Sequence, residues 1–93
     1  MYNNFMKRWT IIFKALSNGN RLEIINLLYK NKRLSVTELA NKLHISIKAV
    51  SRHLVMLRDF DVLNSVGEKG NVFYSINQNM SRDFKQTIDL FRS

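Results

Sequence analysis

The chain has 93 residues, 45% of them hydrophobic, which suits one globular domain with a modest core and excludes a disordered polymer. Fifteen Lys and Arg against seven Asp and Glu leave a net charge of +8, which points to a polyanionic partner, nucleic acid ahead of an anionic membrane. Without cysteine there are no disulfides, thiolate metal sites or cysteine nucleophiles, and apolar runs of a few residues are too short to span a bilayer.

The first predicted element is a helix over residues 2–16, with Phe5, Trp9, Ile12, Phe13 and Leu16 at helical spacing. Ser17-Asn18-Gly19-Asn20 ends it, and Gly19 is expected to be a left-handed stop. Asn18 or Asn20 then caps a second helix to about Lys30, with Leu22, Ile25 and Leu28 inward. Ser35-Val36-Thr37-Glu38 reads as a capping box, followed by Val36, Leu39, Ala40 and Leu43 on one helical stripe. His44 and Ile45 turn the chain, Ser46 caps again, and a fourth helix runs from Ile47 to about Phe60.

From Val62 the period changes. Val62 to Val66 and Asn71 to Ile76 are rich in β-branched and aromatic residues, with Gly67-Glu68-Lys69-Gly70 as the hairpin loop. Met80, Phe84, Ile88 and Phe91 restore helical spacing over residues 79–92. The expected fold is mainly α with a small β-hairpin: about five helices and a two-stranded wing in a single domain, residues 1–93, with the helix-turn-helix at 36–60 and the wing at 62–76.

The fourth helix carries the functional signal. At 100° per residue, Ile47, Val50, Leu54 and Leu57 fall together and need a core. Lys48, Ser51, Arg52 and Val55 fall on another side, and no acidic residue occurs from Leu39 to Arg58. Such a helix fits the major groove of duplex DNA, roughly 12 Å wide. Lys48 and Arg52 are placed to reach guanine edges or phosphates, and Ser46 and Ser51 to offer hydroxyls. Ala49 permits close approach or touches a thymine methyl, and Lys69 at the wing tip reaches the backbone or minor groove, weakened by Glu68 beside it. His53 lies at the flank of this face, either donating to a phosphate or packing against Phe60; His44 is expected to be exposed in the turn.

These segments resemble the ArsR family of small dimeric winged-helix transcriptional repressors. The resemblance rests on FKALSNGNRLEIINLL (Phe13 to Leu28), LSVTELANKLHISIKAVSRHLVMLRDFDVL (Leu34 to Leu63) and GEKGNVFYSI (Gly67 to Ile76). It implies a homodimer built from the terminal helices, residues 2–16 and 79–92, through Phe5, Trp9, Phe84, Ile88 and Phe91. Two recognition helices would then read a pseudo-palindromic operator in double-stranded DNA. Metal-sensing members carry cysteines where this chain has Ser35 and Thr37, and hydroxyls do not replace thiolates for soft metals. The family's alternative site pairs Asp with His on the last helix, which here offers Asp83 and Asp89 and no His. The expectation is therefore no metal or other cofactor and no metal sensing through either site; the residues do not identify an effector.

The carboxylates are scattered, and neither a glycine-rich phosphate loop nor a Ser-His-Asp arrangement is present, so an enzyme is not expected. The opening residues place no charge ahead of an apolar stretch with a cleavage site, so a cytoplasmic location is expected. The alternative reading is a winged-helix module that binds a protein partner or RNA through the same basic surface.

Overall fold

In the computed structural model, residues 3–92 are described; Tyr2, expected to open the first helix, lies outside them. Helix α1 spans Asn4–Leu16, and the Asn3 side chain caps it by accepting from the Met6 amide at 2.8 Å. Helix α2 spans Gly19–Lys30 and is capped by Asn18, which accepts from the Arg21 amide at 3.1 Å. Gly19 is therefore the first helical residue, not a left-handed stop. The stop is unnecessary because Arg21 reaches back to the end of α1, donating to the carbonyls of Ala15 (2.7 Å) and Lys14 (2.9 Å). A guanidinium here satisfies orphan carbonyls that a left-handed glycine otherwise serves. The inward stripe of α2 is Ile24, Ile25 and Leu28; Leu22 is only half-buried.

Strand β1, Leu34–Ser35, precedes helix α3, Val36–Leu43. Ser35 and Glu38 form the expected capping box, with reciprocal bonds of 3.0 and 2.9 Å. Helix α4 spans Ile47–Asp59, strand β2 Leu63–Glu68, strand β3 Asn71–Ile76 and helix α5 Arg82–Arg92. The expected two-stranded wing forms from β2 and β3, and β1 extends it to a three-stranded antiparallel sheet in the order β1-β3-β2. Leu34 pairs with Tyr74 and Ser35 with Phe73, so the wing hairpin is tied to the start of α3.

One core joins every element. Ile12 and Ala15 of α1, Ile24 and Ile25 of α2, Leu39 of α3, Val50, Leu54 and Leu57 of α4, Val62 and Leu63 at the entry to β2, and Phe84 and Ile88 of α5 are buried. Phe84 lies 6.3 Å from the Phe60 ring. Phe84 and Ile88 show no surface even in the single chain, so neither is available to a second copy; they close the core of their own protomer. Ile47 also departs from expectation at 54% exposed, because the first turn of α4 projects beyond the body that covers Val50.

Arg8 ties α1 to α5 with a two-pronged pair to Asp83 (2.8 and 2.9 Å), its guanidinium 5.2 Å from the Phe84 ring. Arg8, with help from Ser81 and the Phe84 amide, holds the Asp83 carboxyl well below the usual carboxylate range. A carboxyl depressed in the folded state stabilises the protein in full above its unfolded value of about 3.9, and that stabilisation is lost progressively as pH falls from there through the folded value. Both side chains are about a third exposed, so screening limits the pair to about 1 kcal/mol. Thermal melts of Asp83→Asn should show that loss at pH 7 and little difference from wild type at the acid end; equal differences at both pH values would contradict the assignment.

Candidate nucleic-acid interface

Helix α4 is set at its angle by local chemistry. His44 ends α3 in the left-handed region (φ 57°), and the Ile45 amide donates to the Ala40 carbonyl at 3.2 Å. Ser46 starts α4 at once, its hydroxyl accepting from the Ala49 amide at 3.0 Å. A serine hydroxyl has one donor and two lone pairs, so capping leaves the O–H of Ser46 free to donate outward. His44 is exposed, as expected of a turn residue.

Beyond that cap the two faces of α4 separate. Val50, Leu54 and Leu57 are completely buried, whereas Lys48 and Arg52 are exposed. Among the described residues no carboxylate lies within ion-pair distance of either cation. Ser51 and Ala49 are half-buried between them, and Lys48, Ser51, Arg52 and Val55 line a shallow depression on the outer surface. The face is cationic because its neighbours supply no counter-charge, and it is solvent-facing because the aliphatic stripe on the other side is consumed by the core.

His53 has a partner that local sequence does not reveal. Its Nδ1 lies 3.1 Å from Arg21 Nη1. Guanidinium only donates, so Nδ1 accepts and the ring proton is assigned to Nε2. Burial, and then the Arg21 charge, pull the imidazole below its ordinary value, so the ring is neutral at neutral pH. Arg21 thus touches the end of α1, belongs to α2 and holds α4, which makes it a positioning residue for α4.

The wing is pinned in a comparable way. Its two-residue turn, Lys69-Gly70, has φ of 52° and 81°, the positive pair that a tight hairpin requires, and Gly67 belongs to β2 and not to the loop. Glu68 does not offset Lys69, as its position in sequence suggests. It accepts from Arg33 at 2.8 and 3.4 Å, and Arg33 also lies 4.1 Å over the Phe73 ring. Arg33 draws the Glu68 carboxyl below its ordinary value. Lys69 is exposed at the tip, with no ion-pair partner among the described residues.

Three of the four side chains weighed at the metal positions are engaged elsewhere, Ser35 in its capping box, Asp83 with Arg8, and Asp89 with Lys85 at 2.6 Å. No cluster of three or more His, Asp or Glu suited to a metal ion occurs among the described residues, and no helix there is long and apolar enough to cross a membrane.

Large apolar side chains are also exposed on both terminal helices. Phe5, Met6 and Phe13 are 60, 51 and 61% exposed, with Trp9 between them, 6.5 Å from Phe5 and 5.6 Å from Phe13. Phe91 is partly exposed at the end of α5. Phe13 lies one turn beyond Trp9 on the same exposed side, a placement that periodicity alone does not give because it does not tell which side of α1 the rest of the chain covers.

A model of bacterial regulatory proteins of the arsR family matches residues 18–65. The chain is 38% identical over 80 residues to the transcriptional activator HlyU of Vibrio cholerae, an alignment covering 86% of this chain and 70% of that protein. It is 36% identical over 66 residues to the transcriptional repressor PagR of Bacillus anthracis, covering 71% and 66% respectively. The solved structure of HlyU from Vibrio cholerae superposes with a TM-score of 0.79 at 33% identity, covering 97% of this chain and 94% of that one.

Proposed function

The chain belongs to the arsR family of bacterial regulatory proteins and is a DNA-binding transcriptional regulator; from that premise we propose that it works as a homodimeric repressor that reads a pseudo-palindromic operator in duplex DNA. One observation carries the reading: α4 presents Lys48 and Arg52 unpaired on an exposed face, held outward by Val50, Leu54 and Leu57 beneath. Phosphates accept from such cations and supply most of the affinity, while contacts to base edges supply selection.

In this reading Lys48, Ser51 and Arg52 meet base edges, Ser46 and Ala49 lie against the backbone at the groove entrance, and Lys69 reaches phosphate from the wing. His53 serves chiefly to hold α4 through Arg21. The homodimer forms through Phe5, Trp9 and Phe13 of α1 and Phe91 of α5, apolar side chains whose exposure in a lone protomer is costly. HlyU and PagR carry opposite signs of regulation by name; repression is the outcome when the bound dimer covers promoter DNA. A cytoplasmic location follows from that role.

Selection from random duplexes with the purified protein tests this directly. The expected result is an enriched inverted repeat whose half-site centres lie about 10 base pairs apart, one helical turn. Enrichment of a single unrepeated site would contradict the dimer, and an unenriched pool would contradict base reading.

A further inference from the structure

Val55 is the last residue of the stripe that begins at Lys48, and it is 39% exposed. It completes the depression formed with Lys48, Ser51 and Arg52. We propose that Val55 is a specificity-determining residue that reads the 5-methyl group of one thymine in each operator half-site. The proposal rests on the DNA-reading role of α4 and names what the apolar part of that face recognises.

Spacing carries the first step. Lys48, Ser51, Arg52 and Val55 stand at i, i+3, i+4 and i+7 and so share one stripe of the helix. At 1.5 Å per residue, the seven steps from Lys48 to Val55 cover about 10.5 Å. With base pairs about 3.4 Å apart, that stripe spans about three of them. Whatever pair Lys48 faces, Val55 faces another further along the groove. Asp59, one turn beyond Val55, has its carboxylate 3.5 Å from Arg58 and closes the cationic stripe.

Chemistry carries the second step. Val55 has no hydrogen-bonding group, so it cannot use the donors and acceptors that distinguish most base edges. The thymine methyl is the one apolar group exposed in the major groove. A β-branched side chain on a helix is held in one dominant rotamer, so its methyls form a fixed apolar surface and not a mobile one. Lys48 and Arg52 precede it on the same stripe with charges complementary to the DNA backbone, which favours a duplex over an apolar protein partner at this spot.

The experiment uses the selected operator and replaces each thymine in turn by deoxyuridine, which removes the methyl and leaves pairing intact. At one position per half-site, within about three base pairs of the guanine lost to Arg52→Ala, uracil should weaken wild-type binding about fourfold, the value of one buried methyl-sized group. Val55→Ala, whose circular dichroism melt should match wild type, should bind the thymine operator about fourfold more weakly per half-site, about sixteenfold for the dimer, and be indifferent to the uracil replacement at that position. A wild-type protein that selects a sequence yet ignores every thymine methyl overturns the proposal. So does a Val55→Ala variant as sensitive to uracil as wild type. Absence of preference among duplexes is a different result: it removes the base-reading role of α4 itself and this assignment with it.

Discussion

Phe84→Ala should lower stability by about 3–5 kcal/mol, the cost of removing a phenyl ring from a closed core. Phe84 is completely buried, faces Phe60, and lies beneath the Arg8 guanidinium that ties α1 to α5. Its removal therefore empties space under both terminal helices at once. Domains of this size hold roughly 5–15 kcal/mol in total, so the variant is expected to be largely unfolded on modest warming. Urea melts at several protein concentrations give the measurement. A midpoint close to wild type would mean that the ring is not the keystone its burial indicates. Phe91→Ala, at the partly exposed end of the same helix, provides the contrast. It should leave the fold of one protomer intact and shift the monomer–dimer equilibrium toward monomer in sedimentation.

That contrast also marks the boundary of what sequence conveys. The stripe Phe84, Ile88 and Phe91 announces an apolar face on α5, but helical spacing does not say whether the face meets its own chain or another. The structure divides it, with Phe84 and Ile88 inside and Phe91 at the edge. Ile47 shows the same ambiguity from the other side: it belongs to the apolar stripe of α4 by angle but precedes the point where the body begins to cover it. Local bonds were legible. Ser35 with Glu38, and Ser46 with the Ala49 amide, join residues three apart, and their side chains dictate the cap. Long-range bonds were not. Strand β1 is two residues that pair with Tyr74 and Phe73, and nothing around Leu34 specifies that register. Arg21 and Arg33 have long, adaptable side chains whose partners, His53 and Glu68, are brought within reach only by the fold. The outer face of α4 was legible because it depends on one helix alone, and its exposure follows once Val50, Leu54 and Leu57 are buried.

Arg52→Ala should weaken binding to the selected operator by about 1–3 kcal/mol per half-site contact and relax the preference at one base pair. Arg52 is exposed and forms no ion pair among the described residues, so its removal should leave the melting curve nearly unchanged. The loss then belongs to the DNA contact and not to the fold. Arg52→Lys sharpens the point: lysine keeps the charge but lacks the planar fork that holds guanine O6 and N7 together, so it should restore general affinity and not the base preference. Lys69→Ala at the wing tip is the opposite case. A phosphate contact carries no sequence information, so its loss should weaken all duplexes alike and reduce the slope of log affinity against log salt by about 1 per contact. If Arg52→Ala instead behaves like Lys69→Ala, uniform across sequences and visible only in the salt slope, then Arg52 grips the backbone. Base selection must in that case rest on Lys48, Ser51 and the apolar surface of Val55.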